Sequence, residues 1–367
     1  MERRKSREVS VRGVKIGGGA PISVQSMLKC DPADVEESLR QIRELVEAGC
    51  HVVRLAVPNA AAVEAFAEIR ERTDAPLVAD IHFSRELALA AIRAGADKVR
   101  INPGNIGGAE DVRAVVEAAG ERGIPVRIGA NSGSILPRGA ESAAGREEMV
   151  EALVSGLMRD VGTCEEASFR DIVLSVKSPD VAVTVEAYRR VAQRCDYPLH
   201  LGVTAAGPAD LAVVKNAVGI GSLLLDGIGD TVRVSITGPP AQEVEAAYLI
   251  LGALRMGEAG PQIISCPTCG RCKVDILPII RRVRERLKGV RAPVSIAVMG
   301  CEVNGPGEAR DADVGLALAG ERGGTIFRKG EPARRLGVGM GTERMAEELL
   351  AEIDALVASG VAGGDRA

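Results

Sequence analysis

The sequence predicts a parallel (β/α)8 barrel of the TIM type, followed by a smaller α/β domain. From Pro21 to about Gly257, short β-branched runs alternate eight times with amphipathic helical stretches, and about 240 residues in that order is the size of such a barrel. The pattern changes at residues 258–261, where Gly and Pro interrupt it. We therefore expect a substrate-binding barrel at residues 1–257, an α/β domain at 258–359 and a frayed tail at 360–367. An open doubly wound sheet is the alternative for the first domain.

The eight barrel strands are predicted from runs rich in Val, Ile and Leu that end at Gly, Pro or Asp. They are expected at residues 22–27, 52–57, 77–81, 98–101, 126–130, 172–176, 199–203 and 231–236. The helices are predicted from apolar residues at helical spacing, such as Val35, Leu39, Ile42 and Val46 ahead of Gly49. They are expected at residues 34–47, 61–72, 84–94, 109–122, 149–161, 182–193, 209–218 and 242–254.

The second domain is predicted to carry its chemistry on two loops. The segments expected along it are a strand at 262–265, a cysteine loop, a helix at 275–287, a strand at 294–299, a loop at 301–308, strands at 314–318 and 325–328, and a helix at 342–357. In the barrel, residues 132–145 are predicted to form an extended loop after the fifth strand. Barrels place their active sites at that end of the strands.

Composition narrows the possible functions. With 46% hydrophobic and 26% charged residues, the chain has the balance of a globular protein. No apolar stretch approaches the roughly 20 residues of a membrane span, and no secretory signal is readable, so we expect a cytoplasmic protein. A net charge of −4 with no Trp and only seven other aromatic residues, three Tyr and four Phe, argues against a nucleic-acid partner. Eight cysteines in such a chain favour metal or redox use over disulfides.

Nearly every predicted barrel strand carries a charged or hydrogen-bonding residue within or just after its apolar run, although a strand buried on both faces is normally apolar. In a barrel these side chains converge on the mouth. Ion pairs with helices or solvated strand ends would explain each residue singly. We predict that Asp80, His82 and Thr204 are catalytic. The predicted substrate-binding residues are Arg54, Arg100, Asn102, Arg127, Asn131, Lys177, His200, Arg233 and Ser235.

The basic members of this set predict an anionic ligand. Four arginines and a lysine around one cavity would repel one another unless an anion lay between them. Phosphate is the anion that arginine binds with two parallel hydrogen bonds. Residues 102–108, which read NPGNIGG ahead of a helix, could add backbone N–H donors, although that glycine pattern is a weak signal alone.

The cysteine loops predict a metal centre. Cys266, Cys269 and Cys272 stand three residues apart, and Cys301 opens a later run that ends at Glu308. Four thiolates would make a closed zinc site. The spacing also suits a [4Fe–4S] cluster held by three thiolates and one other ligand. Since a turn at residues 304–308 could return a carboxylate to the centre, either Cys272 or Glu308 is the fourth ligand; an oxygen ligand is the more easily displaced, which would make Glu308 catalytic as well.

These motifs together resemble the bacterial 4-hydroxy-3-methylbut-2-enyl diphosphate synthases, the iron–sulfur enzymes of the non-mevalonate isoprenoid pathway. The resemblance covers nearly the whole chain. The matching segments are GGGAP at 17–21, SVQSM at 23–27, VADIHF at 78–83, RINPGNIG at 100–107, SVK at 175–177, LHLG at 199–202, GIGDTVRVS at 227–235, SCPTCGR at 265–271 and VNGPGEA at 303–309.

The resemblance implies a barrel joined to a small domain with a [4Fe–4S] cluster, and a homodimer in which the cluster domain of one subunit covers the barrel of the other. It implies reductive ring opening of 2-C-methyl-D-erythritol 2,4-cyclodiphosphate with electrons from ferredoxin or flavodoxin. The implied cluster ligands are Cys266, Cys269, Cys301 and Glu308, with Cys272 as a bystander. The implied diphosphate-binding residues are Arg54, Arg100, Arg127 and Lys177.

Two segments depart from the family pattern. The usual Thr-Glu-Ala-Gly after strand seven reads Thr-Ala-Ala-Gly here, with Ala205 in place of the glutamate, and residues 28–32 replace a Thr-rich stretch. Ala205 cannot deliver a proton, and such assistance is worth roughly 10²- to 10⁴-fold in rate. Two further hypotheses therefore stand beside the enzyme. One is an impaired paralogue that binds the cyclodiphosphate or senses iron–sulfur status, and the other is a zinc-stapled barrel for another phosphorylated metabolite.

Overall fold

The chain folds into two units, Met1–Ile250 and Leu251–Ala367. The computed structural model describes residues 2–131, 145–204, 207–256, 260–290, 292–301, 303, 305–320 and 323–359. The predicted loop at 132–144, Ala205 and the tail at 360–367 lie outside the described residues. No helix in the described ranges is long and apolar enough to cross a membrane.

The first unit is a (β/α)8 barrel, as predicted. Its barrel strands are β3 Ser23–Met27, β4 Val52–Ala56, β5 Leu77–Asp80, β6 Lys98–Ile101, β7 Val126–Asn131, β8 Ile172–Lys177, β9 His200–Leu201 and β10 Thr231–Val232. All eight pair in parallel, β3 to β8 in chain order, with β10 between β3 and β9. A parallel bridge between Leu174 and Leu199 joins β8 to the chain entering β9 and completes the ring. The alternative of an open doubly wound sheet is wrong.

Helices follow the strands, and four of them begin after a residue whose side chain caps the helix. Asp34, Asn59, Ser84 and Asp180 each accept a backbone N–H from the first turn of a helix, which satisfies donors that the helix itself cannot pair. The helices of the first unit are α1 Val35–Glu47, α2 Ala60–Glu71, α3 Arg85–Arg93, α4 Pro103–Ile106, α5 Ala109–Glu121, α6 Arg146–Glu166, α7 Val181–Arg194, α8 Ala209–Leu225 and α9 Pro240–Ala253. The short helix α4 was not predicted.

An antiparallel hairpin, β1 Val9–Val11 and β2 Val14–Ile16, closes the N-terminal end of the barrel. Its apolar side chains form one buried cluster with Val52, Val78 and Val173, which lie near the starts of β4, β5 and β8. Because alternate residues of a strand share a face, these valines mark which positions point into the barrel. The barrel interior therefore has an apolar floor.

The second unit holds a five-stranded sheet with its own core. Its strands are β11 Gln262–Ser265, β12 Ser295–Met299, β13 Val314–Leu318, β14 Gly324–Arg328 and β15 Glu331–Leu336, in that order across the sheet. The first three are parallel and the last two antiparallel. The helices are α10 Leu277–Arg286, α11 Gly305–Asp311 and α12 Thr342–Ala358. The loop predicted at 301–308 is wrong in its second half, because α11 begins at Gly305, and β15 was not predicted.

Candidate functional site

The barrel brings together the predicted polar residues of its strands. Register pairs Asp80 with Arg100 and Arg100 with Arg127 across three neighbouring strands. Gly129 lies in β7, and a methyl group added to it would stand 3.1 Å from Arg100 Nε and 3.2 Å from Ser175 Oγ. The side chains of β6, β7 and β8 thus meet inside the barrel, and a glycine leaves room for the Arg100 guanidinium.

Asp80 organises one group of cations. Arg100 Nη1 donates to Asp80 Oδ1 at 3.1 Å, while Arg54 Nε and His82 Nε2 each lie 3.6 Å from Asp80 Oδ2. Burial alone would raise the pKa of this carboxyl, which is 2% exposed, but Arg54 and then Arg100 lower its pKa to about 2. Asp80 is therefore ionised at neutral pH and fixes two guanidinium groups at the barrel mouth.

His82 is half-buried beside this carboxylate. Burial, together with the charges of Arg100 and Arg54, lowers its pKa despite the opposing effect of Asp80. The imidazole is therefore mainly neutral at pH 7, since an unperturbed histidine already titrates near pH 6.5. A neutral ring can donate one hydrogen bond and accept another.

Glu243 organises a second group and was missed by the sequence analysis. It lies in the first turn of α9, is almost fully buried, and accepts from Arg233 Nε at 3.1 Å and Nη2 at 3.0 Å. Ser26 Oγ donates to the same carboxylate at 2.8 Å, and Lys29 Nζ lies 3.0 Å from it. Arg233 Nη1 also donates to Ser235 Oγ at 2.7 Å. The structure thus ties Arg233 and Ser235 to an internal carboxylate.

The other buried cations of the barrel form no ion pair with a carboxylate in the part of the chain that the structure describes. Burial, and then the charges of Arg127 and Arg54, hold the pKa of Lys177 well below its usual value. Arg127 is 2% exposed, and its Nε and Nη1 have no hydrogen-bond partner among the described residues. Lys98, which the sequence analysis also missed, is fully buried with an unpartnered Nζ. Among the described residues, five buried cations and the partly exposed Arg233 face Asp80 and Glu243, an imbalance that an anionic ligand would relieve. The six are Arg54, Lys98, Arg100, Arg127, Lys177 and Arg233.

Three further predicted residues lie at strand ends. Asn102 is buried directly after β6, and its carbonyl accepts the N–H groups of Asn105 and Ile106 at the start of α4. Asn131 is the last residue of β7. Thr204 follows β9 at the limit of the described residues, and His200 is buried in β9 itself.

In the second unit, two cysteines leave the sheet at the same edge. Cys266 directly follows β11 and donates its N–H to Val298 O in the neighbouring parallel strand at 3.0 Å. Cys301 comes two residues after β12. A cavity of about 230 Å³ opens beside it and is lined mainly by apolar and small residues, with Arg335 at its wall.

The other two cysteines of this unit differ in environment. Cys269 is exposed, and hydrogen bonds from the backbone and side chain of Arg271 lower the pKa of its thiol, which favours the thiolate that binds metals. Burial raises the pKa of Cys272, whose Sγ donates to Val274 O at 3.2 Å. Cys272 also packs on Gly300, where a methyl group would stand 2.3 Å from its sulfur. Cys272 also lies beside Cys266 and Cys301, which raise the pKa of its thiol further.

Glu308 lies on the exposed side of α11, whose first residue donates its N–H to Cys301 O at 3.2 Å. Across the described part of the chain, no group of three or more His, Cys, Asp and Glu side chains is placed to hold a single metal ion. The structure therefore brings α11 to Cys301 but does not bring the Glu308 carboxylate to the three thiols. Of the four cysteines, Cys301 lines the cavity, and thiolates are the soft donors that an iron–sulfur cluster uses, so the residue types fit such a cluster.

Comparison with solved structures supports the barrel fold. A dihydropteroate synthase from Stenotrophomonas maltophilia has a TM-score of 0.53 and 17% identity, and covers 68% of this chain and 98% of its own. A type I 3-dehydroquinate dehydratase from Clostridium difficile has a TM-score of 0.50 and 17% identity, with the same coverage. At such low identity these similarities concern the fold alone.

Comparison of sequences is more specific. Residues 6–248 match the GcpE TIM-barrel domain, and residues 262–355 match the GcpE protein C-terminal domain. A 4-hydroxy-3-methylbut-2-en-1-yl diphosphate synthase (flavodoxin) from Caldanaerobacter subterraneus is 47% identical over 97% of this chain and 98% of its own. Proteins of the same name from Thermodesulfovibrio yellowstonii and Geobacter sulfurreducens are 49% and 46% identical, covering 90% and 96% of this chain and 94% and 98% of their own. The chain therefore belongs to the GcpE family.

Proposed function

We propose that this protein is an oxidoreductase that converts 2-C-methyl-D-erythritol 2,4-cyclodiphosphate to 4-hydroxy-3-methylbut-2-enyl diphosphate. The observation that carries the proposal is the excess of buried cations in the barrel, which matches a diphosphate ligand. Relatives that match nearly the whole chain at 46% to 49% identity bear the name of this synthase. Their names favour the enzyme over an impaired paralogue.

The reaction needs two electrons. Counted on the neutral acids, two electrons and two protons open the ring at its C–O bond, and one oxygen leaves as water. A [4Fe–4S] cluster bound by Cys266, Cys269, Cys301 and Glu308 would supply the electrons one at a time. Flavodoxin, which the relatives' names contain, is the proposed donor, and ferredoxin is the alternative. None of the eight cysteines, all of which are described, forms a disulfide bond, in keeping with a proposed cytoplasmic location.

The barrel residues bind and orient the substrate. Arg54 and Arg100, fixed by Asp80, hold diphosphate oxygens with the planar fork that suits them. Arg127 and Lys177 neutralise the remaining charge. His82, neutral beside Asp80, is placed to hold or pass a proton at Nε2. Thr204, Asn102 and Asn131 are proposed to contact the hydroxyl-bearing part of the substrate, and we propose that the protein works as a homodimer.

The test begins with anaerobically reconstituted protein. We expect visible and EPR spectra of a [4Fe–4S] cluster, and turnover of the cyclodiphosphate with reduced flavodoxin. A cluster without turnover under any reductant would contradict the enzyme, and zinc without iron or sulfide would support the stapled barrel. Full turnover by the native chain would also rule out the hypothesis of an impaired paralogue. Activity that appears only in Ala205→Glu would support that hypothesis.

Matched cysteine variants test the proposed ligands. Cys269→Ser should lose most of the cluster iron and sulfide, because Cys269 is the exposed thiol with the lowered pKa. Cys272→Ser should keep both, since its sulfur bonds to Val274 O. Equal iron loss in the two variants would contradict this assignment. Light scattering in solution tests the dimer, and a monomeric mass at working concentration would argue against it.

A further inference from the structure

A group of buried polar atoms inside the barrel lacks partners. It comprises Lys98 Nζ, Nε and Nη1 of Arg127, and both ring nitrogens of His200, none of which has a hydrogen-bond partner among the described residues. Lys98 and His200 are 0% exposed, and Arg127 is 2% exposed. Because buried polar groups in folded proteins are almost always hydrogen-bonded, these atoms point to a bound molecule that satisfies them. We call this group the lower chamber.

Position and charge define what the lower chamber can hold. Lys98 pairs in register with Val78, which belongs to the apolar floor, and it shares the inward face of β6 with Arg100 two residues further on. That step is roughly 6.6 Å along a strand, about the reach of a lysine side chain. The backbone of Lys98 is therefore one inward position closer to the floor than that of Arg100, and its ammonium group is close enough to Arg127 and Arg54 to feel their charges.

Among the described residues no carboxylate pairs with Lys98 or Arg127, and the charge of Asp80 only partly offsets the effects of Arg54 and Arg100 on Arg127. Asp80 bonds to Arg100 and faces Arg54, and Glu243 bonds to Arg233. The charged groups that act most strongly on Lys98 are Arg127 and Arg54, both positive. Burial, with the charges of Arg127, Lys177 and Lys98, holds the pKa of His200 well below its usual value, so that its ring stays neutral. A neutral imidazole and two cations form a suitable set of donors for an oxyanion.

We propose that Lys98, Arg127 and His200 form an inner oxyanion subsite next to Arg54 and Arg100, which takes one phosphoryl group. Its occupant is either the inner phosphoryl group of the diphosphate substrate or a free inorganic phosphate. The inference deepens the proposed function and rests on it only for the first of these occupants. Lys98 is the new member, since nothing in its sequence context distinguishes it from a lysine at a solvated strand start.

The decisive variant is Lys98→Met, which keeps the volume and removes the charge. If the subsite exists, the affinity of the full-length reconstituted protein for inorganic diphosphate falls at least tenfold, measured by calorimetry. At the same time the anion-free variant unfolds at an equal or higher temperature, because an unpartnered buried charge has been removed. The matched control is Lys15→Met on the hairpin, whose side chain is 63% exposed; it should change neither quantity.

Other results for the Lys98 variants would contradict the proposed subsite. If Lys98→Met binds inorganic diphosphate within twofold of the native protein, the lower chamber holds only water and the proposal fails. If Lys98→Met does not fold, Lys98→Gln measured in the same way decides. Affinity for inorganic diphosphate also falls with rising pH above about 7 in the native protein, because Lys98 loses its proton there, and this dependence weakens in Lys98→Met.

A competition experiment distinguishes the substrate's inner phosphoryl group from free inorganic phosphate as the occupant. Inorganic phosphate is titrated into protein saturated with the cyclodiphosphate. Exclusion of phosphate identifies the substrate's inner phosphoryl group, and additional binding that Lys98→Met abolishes identifies a separate phosphate. Failure of the proposed function would appear differently, as lost turnover with diphosphate binding intact and still dependent on Lys98.

Discussion

Two carboxylates, Asp80 and Glu243, determine which cations of the barrel are available to bind a ligand. Asp80 holds Arg54 and Arg100 at the mouth with open N–H groups, whereas Glu243 occupies Arg233 through two hydrogen bonds. The first arrangement leaves a pair of guanidinium groups available for a ligand. The second fixes the chain after β10.

Replacing Asp80 with asparagine should be costly. Asp80→Asn leaves two buried guanidinium groups without their counter-charge, and breaking a buried pair typically costs about 3–5 kcal/mol. Urea unfolding at pH 7 measures the loss. The control is Asp74→Asn, since Asp74 is fully exposed beside Arg12, and it should change the free energy of unfolding by less than about 0.5 kcal/mol. Equal stability of the two variants would contradict the role given to Asp80.

The contribution of Asp80 to stability should also be visible in the pH dependence of unfolding. The pKa of Asp80 is lowered to about 2 in the folded protein, below the ~3.9 of an unfolded chain. Its contribution to stability is therefore complete above about pH 4 and is lost as the pH falls toward 2. Unfolding measured from pH 5 to 2 should show a shallower decline in Asp80→Asn than in the native protein. Parallel declines would count against the lowered pKa.

Gly129 sets the position of a guanidinium group. In Gly129→Ala the new methyl group would crowd Arg100 Nε and Ser175 Oγ, so we expect roughly tenfold weaker binding of inorganic diphosphate, because small displacements of binding groups have large effects. Gly162→Ala in helix α6 meets nothing within 4 Å and serves as the control. Unchanged affinity in Gly129→Ala would show that Arg100 can move without loss.

At the scale of elements, the alternation of strand and helix was readable, and its irregular parts were not. Strands β3 to β8 begin and end within about one residue of the prediction. Strand β10 stops at Val232, four residues earlier than predicted: Arg233 N–H still donates to Leu201 O in β9, but Ile236 N–H donates to the Glu243 side chain instead of a neighbouring strand. Neither Glu243 nor Lys98 could be found from periodicity, since a helix Glu and a Lys at a strand start usually face solvent.

Besides helix α4, the sequence analysis missed the hairpin, strand β15 and helix α11, each for a different physical reason. The hairpin turn uses Arg12 and Gly13, both at positive φ, a conformation that is normally signalled by Asn-Gly or Asp-Gly. Strand β15 is charged and exposed at a sheet edge, which is how edges avoid aggregation but hides the strand pattern. Helix α11 begins with Gly-Pro-Gly, which normally indicates a turn.

The hairpin should contribute measurably to the stability of the barrel. Val11 is fully buried in the floor cluster, so Val11→Ala should lower the free energy of unfolding by about 1–3 kcal/mol. Lys15→Ala, on the exposed side of the same hairpin, should change it by less than about 0.5 kcal/mol. Denaturant unfolding of both variants makes the comparison. A loss no larger in Val11→Ala than in the control would show that the floor does not depend on the hairpin.

At the scale of the whole molecule, each unit has a core of its own. The core of the second unit includes Ile279, Val298, Leu316 and Leu349, and the barrel core is separate in sequence. Each unit also carries one of the two chemistries, cations in the first and thiols in the second. The sequence predicts that division because each chemistry has a distinct residue type and spacing.

Ligands should therefore stabilise the units selectively. Inorganic diphosphate at about one hundred times its Kd adds roughly 2.7 kcal/mol to the unit that binds it, which corresponds to a rise of about 5–10 °C in Tm for a domain of this size. We expect calorimetry to show this rise in the barrel transition, and removal of iron and sulfide to lower the other transition. A single transition that moves with both treatments would contradict separate stabilisation.

The apolar floor leaves one end of the barrel through which ligands can enter and leave. Val9, Val11 and Ile16 seal the end where the strands begin, so an anion drawn toward the buried cations has to arrive and depart by the opposite end. Reactant and product then share one passage, and the product of the proposed reaction keeps its diphosphate. Bound product should therefore block the entry of substrate, and product inhibition should be competitive with substrate. The turnover rate should be limited by the release of the product diphosphate from the cations.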